Sequence, residues 1–298
     1  MCAGQSVEYA EDNRVHHAGG LGVNPHSRPP LGPGSMFASF AGNRQLIWQL
    51  TRREIVSRYR GSWAGLAWSF FNPLIMLVIY TFVFTTIFKA RWGTGGDASQ
   101  ADFAVILFVG IIVHGVLAEC IIKAPALVTG NASYVKKVVF PLEVLPWPIA
   151  GSAMFHAMVS FAVLLLAQAV FGQGVFWTAS LFPIVLSPLL VVGMGMMWLI
   201  ASTAVYVRDL AMITGLVVTA LMFLAPVFYP ASALPEAYRW IILWNPLTFI
   251  IEQGRQVLIV GHTPDWAGLG IYLCFAFPFA WLGYMWFQRT RKGFADVL

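Results

Sequence analysis

Four arginines fall within nine residues, at Arg52, Arg53, Arg58 and Arg60, and the chain turns apolar directly after them in the run RYRGSWAGLAWSFFNPL. A guanidinium presents a planar fork of N–H donors that matches two oxygens of one phosphate. Beside a hydrophobic run, such a cluster is suited to a phosphate carried on a lipid. Two readings fit these residues. In one, the arginines rest on anionic headgroups and anchor the segment 43–60 at the membrane surface. In the other, some of them grip a phosphorylated lipid substrate, with Arg53, Arg58 and Arg60 as the candidates.

Aromatic residues form a second group, 15% of the chain. Trp63, Trp68, Phe70 and Tyr80 lie in or just before the first apolar run, and Phe228 and Tyr229 close the fifth. Sugar rings lay their apolar C–H faces on aromatic rings, so these side chains are candidates for a path along which a glycan slides. The competing reading is the belt of Trp and Tyr at membrane–water boundaries, with Phe facing lipid. Glu119 and Lys123 stand four residues apart in the favourable helical order and read as a pair whose lysine reaches the interface. His114 and His156 are single residues in apolar runs and read as packed, hydrogen-bonded side chains. Glu252, His262 and Asp265 are the acid/base candidates if the chain is an intramembrane enzyme acting on lipid-linked sugars. No G-x-x-x-x-G-K-[ST] loop, H-E-x-x-H, paired-cysteine or G-x-S-x-G pattern occurs. The chain is therefore not expected to hydrolyse nucleotide, and no catalytic or metal site is expected.

The elements that position these residues follow from composition. The chain is 58% hydrophobic and 10% charged, against about 25% charged in soluble domains. A soluble globule of this kind would expose large apolar patches, so the expected fold class is an all-α membrane protein. A span needs roughly 20 apolar residues, and six stretches qualify: 68–88, 103–122, 147–171, 181–207, 210–229 and 266–287. Pro183 and Pro188 predict a late start or a kink in the fourth. Six transmembrane helices place both termini on one side. With the termini in the cytoplasm, 14 of the 18 Lys and Arg residues lie inside, which fixes the orientation. The net charge of +5 reports this topology and the pull of an anionic leaflet, not a nucleic-acid partner.

Three further segments stand out. The segment 43–60 predicts an N-terminal interfacial amphipathic helix, though Trp48, Ile55, Val56 and Tyr59 occupy one arc and Leu46, Ile47 and Leu50 another. The external segment 230–265 is too long and apolar for a plain loop and predicts two short re-entrant helices between spans five and six. Residues 1–35 are rich in Gly, Pro, His and Asn without apolar periodicity, and predict a disordered tail before a domain over 36–298. Inside, the stretch GNASYVKKVVFPLEVLP has Asn131 or Ser133 as a helix cap and Pro141 and Pro146 as limits. It reads either as a compact basic helix that docks on a soluble partner or as an ordinary positive-inside loop.

Four strings, in this order, carry a resemblance: LIWQLTRREIVSRYRGSWAGLAWSFFNPL, VKKVVFPLEVLP, YVRDL and NPLTFIIEQGRQVLI. Over 36–298 the chain resembles the permease subunit of ABC exporters of bacterial surface polysaccharides, of O-antigen, capsule and teichoic acid type. That resemblance implies a bacterial inner-membrane protein in which two copies form the pathway above two separate ABC ATPase subunits. ATP and Mg belong to the ATPase, and no cofactor is bound by this chain. The region 130–140, with Asn131, Tyr134, Lys136 and Lys137, is implied as the coupling helix. The short external helices, with Trp244, Glu252 and Arg255, are implied to line or lid the exit. The implied substrate is a polysaccharide on an undecaprenyl-pyrophosphate-type carrier, whose pyrophosphate meets Arg58 or Arg60. An ABC permease of the same architecture for another lipid or a drug is the alternative.

Overall fold

The computed structural model describes residues 31–87, 100–135, 140–170, 174–230 and 235–298, and no strand occurs among them. In chain order the helices are α1 (Pro33–Gly42), α2 (Arg44–Tyr59), α3 (Trp68–Phe82), α4 (Gln100–Lys123), α5 (Ala126–Thr129), α6 (Ala132–Val135), α7 (Pro146–Val170), α8 (Phe182–Ala204), α9 (Leu210–Phe223), α10 (Arg239–Leu243), α11 (Pro246–Arg255), α12 (Trp266–Thr290) and α13 (Phe294–Val297). Of the tail expected over 1–35, residues 1–30 lie outside the described residues. The first helix begins at Pro33, earlier than Met36, with proline in its first turn where a missing N–H costs nothing.

Five stretches among the described residues are long and apolar enough to cross a membrane: Gly65–Phe82, Phe103–Lys123, Leu142–Val170, Trp177–Ala204 and Trp266–Val297. They coincide with the first to fourth and the sixth predicted spans. The fifth differs. It is helical only over Leu210–Phe223, 14 residues, which at ~1.5 Å per residue falls well short of a ~30 Å hydrocarbon core. Pro226 explains the stop: it has no N–H for the Met222 carbonyl and its ring crowds that carbonyl.

Packing is uneven across the bundle. The α4 span has 61% of its residues buried, the α3 span 6%. The core joins α4, α7, α8 and α12, with Phe108, Leu117, Leu186, Leu189 and Trp198 fully enclosed. The closest approach is between α8 and α12. A Cβ added to Gly283 would run into the Gly195 carbonyl oxygen, and one on Gly195 would lie 2.8 Å from Ala280 Cα. Small residues at such crossings let backbones meet in a membrane, where lipid offers side chains no hydrophobic gain on association. Pro183 sits in the first turn of α8 and Pro188 lies inside it, and a 3-10 turn over Trp177–Leu181 precedes them, so the fourth stretch starts earlier than the predicted 181 and its proline-compatible turn opens the α-helix.

The two apolar arcs of α2 have separate uses. Ile47, Leu50 and Thr51 are buried, and a Cβ on Gly151 of α7 would lie 2.7 Å from Thr51 Cγ2, so this arc is docked on α7. Trp48 and Val56 on the other arc are 70% and 51% exposed. The imperfect amphipathicity thus marks a helix with protein on one side and an exposed apolar stripe on another.

The α8–α12 contact yields a test. Gly283→Leu should lower the unfolding temperature of the detergent-solubilised chain, with a loss of about 1–3 kcal/mol from overpacking. Gly270→Leu on the same helix, where an added Cβ meets nothing within 4 Å, should leave it unchanged.

Candidate functional site

Three helices each bring a pair of polar residues one turn apart to a single place. They are Glu54 and Arg58 on α2, Glu119 and Lys123 on α4, and Ser152 and His156 on α7. Side chains four residues apart stack on one helix face, so one rotational setting of each helix delivers both. Glu119 is the hub. Its Oε1 accepts from Lys123 Nζ at 2.8 Å and Ser152 Oγ at 3.0 Å, and forms an ion pair with Arg58 Nη1 at 3.4 Å. Its Oε2 lies 2.8 Å from His156 Nδ1. Lys123 Nζ also donates to Glu54 Oε1 at 2.8 Å. The short Glu119 contact assigns the proton of His156 to Nδ1, so Nδ1 cannot also accept from Arg58 Nη1, 3.3 Å away. The other ring nitrogen, Nε2, is buried without a partner.

These groups border a cavity of about 400 Å³. Arg58, Tyr59, Glu119, Lys123 and His156 form its charged and polar rim, and Asn72, Met76, Phe108, Ile112 and Val116 continue its wall along α3 and α4. Burial raises the Tyr59 phenol above its ordinary pKa, so it stands there as a neutral O–H. A polar rim over an apolar wall suits a ligand with an anionic head and a hydrophobic tail.

The candidate arginines are divided rather than gathered. Arg58 borders the cavity. Arg53 points elsewhere and donates to the Tyr134 hydroxyl at 3.1 Å. Arg60 is exposed at the C-cap of α2. The residues read as a coupling helix are similarly placed. Tyr134 of α6 stacks on Phe140 at 4.4 Å and 10°, and the Asn131 amide donates back to the Leu127 carbonyl at 2.9 Å. Lys136 and Lys137 lie outside the described residues. Nearby, Arg291 Nη1 donates to Glu143 Oε2 at 2.8 Å and Trp198 Nε1 to the Glu143 carbonyl at 3.0 Å, closing the same end of the bundle.

The aromatic candidates fall into separate groups. Trp68 and Phe70 both meet Phe71 edge-on, at 6.4 and 6.1 Å, while Trp63 is 99% exposed. Tyr80 is half-buried on α3. Phe228 stacks on Phe84 at 5.9 Å and meets Phe223 at 5.7 Å, and the Tyr229 hydroxyl donates to the Phe223 carbonyl at 2.7 Å. Of this hub the linear chain shows Glu119 and Lys123 as a pair and His156 as a packed side chain; Ser152 and Glu54, and the convergence itself, are hidden from it. The only trace of their role was the shared spacing of four, which means nothing until the helices are paired.

At the opposite end, α10 and α11 fill the segment expected to hold two short helices. On α11, Leu247, Ile250 and Ile251 are fully buried. Asn245 caps it by accepting from Leu247 N at 3.0 Å and donates to the Leu221 carbonyl at 3.0 Å. Arg255, carried by the second of the short helices implied to line or lid the exit, is buried. Its Nη2 donates to the Pro226 and Val227 carbonyls at 2.7 and 3.2 Å, Nε to Ile106 O at 3.4 Å, and Nη1 pairs with Glu252 at 3.0 Å. It thus satisfies carbonyls that Pro226 left outside a helix. Trp244 on α10's C-cap is 84% exposed.

A family model described as ABC-2 type transporter matches residues 45–259. The chain belongs to the ABC-2 type transporter family. Among its relatives, an O-antigen export system permease protein RfbA of Klebsiella pneumoniae is 24% identical over 254 residues, covering 85% of this chain and 95% of the relative. The RfbA permease of Myxococcus xanthus is 25% identical over 257 residues, 86% of this chain and 96% of its own. A polysialic acid transport protein KpsM of Escherichia coli is 26% identical over 72 residues, 24% of this chain and 28% of its own. This ABC-2 chain is thus a multi-pass membrane transport protein, and its charged hub and Arg255 clamp both lie on elements inside the matched region.

The clamp is open to test. Arg255→Leu should remove partners from buried carbonyls at a cost of about 1–3 kcal/mol per unsatisfied group. A lowered unfolding temperature in detergent, with faster proteolysis near 224–230, is the expected result.

Proposed function

We propose that the chain is the transmembrane subunit of an ATP-driven exporter that moves a lipid-linked polysaccharide from the cytoplasmic to the outer face of a bacterial inner membrane. The carrier is of undecaprenyl-pyrophosphate type. One observation carries the reading: the chain aligns with nearly the whole length of O-antigen export permeases. The charged-rimmed, apolar-walled cavity beside α2 supports it, since that chemistry fits an amphiphile with an anionic head.

In this reading residues 36–298 form the transmembrane domain and both termini are cytoplasmic. The chain crosses the bilayer six times, with α9 and the irregular stretch 224–229 making the fifth crossing. Non-helical backbone at that depth is tolerated where protein covers it, and the Arg255 bonds to the Pro226 and Val227 carbonyls support such cover. The helices α10 and α11 re-enter from the outer side. Two copies form the pathway. Two ABC ATPase subunits, which hold ATP and Mg, dock on the segment carrying Asn131, Tyr134, Lys136 and Lys137, and Arg53 braces that segment through Tyr134.

Deletion of the gene should abolish the surface polysaccharide and leave lipid-linked glycan in the cytoplasm; an unchanged cell surface would overturn the reading. Replacing Lys136 and Lys137 together with Glu should reduce co-purification of the ATPase with the chain. Retention of stoichiometric ATPase would remove the coupling role from this segment.

A further inference from the structure

The segment 130–140 leads into α7 through a short turn, Leu142–Val144, set between Pro141 and Pro146. Neither proline has an N–H to donate. Inside the turn the backbone bonds run from Val144 N to Pro141 O at 3.0 Å and from Leu145 N to Leu142 O at 3.1 Å. These fix its shape, and its position is left to side chains. Glu143, at its centre, is fastened to three other elements. The carboxylate accepts from Arg291, just past α12, at 2.8 Å and from Ser39 of α1 at 3.5 Å. The carbonyl accepts from Trp198 of α8 at 3.0 Å. The Glu143 side chain is 14% exposed, so its charge is compensated chiefly by these partners rather than by water.

The helix α1 closes this arrangement into a ring. Phe40 packs on Trp147, in the first turn of α7, at 4.4 Å. Trp147 meets Trp198 edge-on at 6.2 Å, and Trp198 meets Tyr284 of α12 edge-on at 5.2 Å. Ser35, back on α1, shares a hydrogen bond with the Tyr284 hydroxyl, and Met36 beside it is buried. Both α1 and Arg291 lie outside residues 45–259, the stretch that matches the family model. The two partners of the Glu143 carboxylate therefore come from outside the matched stretch.

We infer that α1 is a strap on the connection between the segment 130–140 and α7, and that Glu143 is the positioning residue through which the strap acts. The inference rests on the reading above in which the ATPase docks on that segment, and it adds the part that passes the displacement on. A turn with only its own short bonds would yield when the segment moves. Fastened to α1, α8 and the end of α12, it carries those elements with it.

The test measures backbone amide exchange over 142–147 in the full chain, in phosphatidylcholine nanodiscs. Surface polysaccharide and co-purifying ATPase are measured in cells carrying the same variants. F40A removes the ring on Trp147, and E143Q removes the charge facing Arg291. Each should speed exchange over 142–147 several-fold and lower surface polysaccharide several-fold, with the ATPase still co-purifying in full. F37A alters the same helix where it meets Phe277 of α12, at 6.1 Å, and should leave all three readouts unchanged. If F40A does not fold, F40L takes its place. Exchange that quickens in only one of the Phe40 and Glu143 variants, or in neither, overturns the inference. Equal quickening in F37A makes α1 simple packing on α12 and overturns it too. So does quickened exchange with unaltered surface polysaccharide. Loss of the ATPase from the E143Q complex places the turn in the docking site itself and removes the strap. Exchange requires no ATPase, so the two readings fail differently. Loss of surface polysaccharide on gene deletion with unaltered exchange in the variants sinks the strap alone. An unaltered cell surface on gene deletion sinks the export reading, and the strap's role with it, even where exchange responds as expected.

Discussion

A carboxylate in a membrane helix must be compensated where it stands, because the cost of an unpaired charge there exceeds that of almost any packing defect. Glu119 meets that demand with three hydrogen-bonding partners, Lys123, Ser152 and His156, and an ion pair to Arg58, drawn from three helices. The demand fixes geometry. Turning α2 by one residue, about 100°, would carry Glu54 and Arg58 out of reach, and the same holds for Ser152 and His156 on α7. A helix that would otherwise lie at the bilayer surface is thereby held to the bundle twice, by charge at its C-terminal half and by the Thr51–Gly151 contact at its middle.

This attachment divides labour among arginines that look alike in the linear chain. Arg58 faces the hub, Arg53 faces Tyr134 and Arg60 is exposed. Arg53 and Arg58 are five residues apart, and that offset sends one toward the α4–α7 side and the other toward the segment between α4 and α7. The far end uses arginine differently again. Arg255 is a structural clamp whose donors replace the helical hydrogen bonds forfeited around Pro226.

Much of the architecture was legible beforehand because hydropathy and length decide spans almost alone. Five of the six predicted stretches recur, with ends shifted by up to ten residues. The exception was also readable: Pro226 lies 16 residues into the run that begins at Leu210, and proline inside a short apolar run ends a helix. The site was less legible. Glu119 and Lys123 showed as a local pair, but Ser152, His156 and Glu54 join them only through the packing of α2 and α7 on α4. His156, read as a satisfied packed side chain, is satisfied at Nδ1 and not at Nε2. Arg255 was placed by topology, in the segment between the fifth and sixth predicted spans, and nothing local announces the three carbonyls that reach it from other segments.

The bundle has one tightly built flank and one sparsely built one. Where α8 meets α12 the backbones touch through glycine, whereas α3 buries Leu77 and little else. A span held so lightly by its own chain takes its tilt from its surroundings. Its angle will follow the hydrophobic thickness of the host bilayer, while the α8–α12 pair keeps its crossing regardless. Lipid composition therefore acts on this protein unevenly, most through sparsely packed helices such as α3, and the wall that α3 lends to the cavity widens or narrows with its tilt.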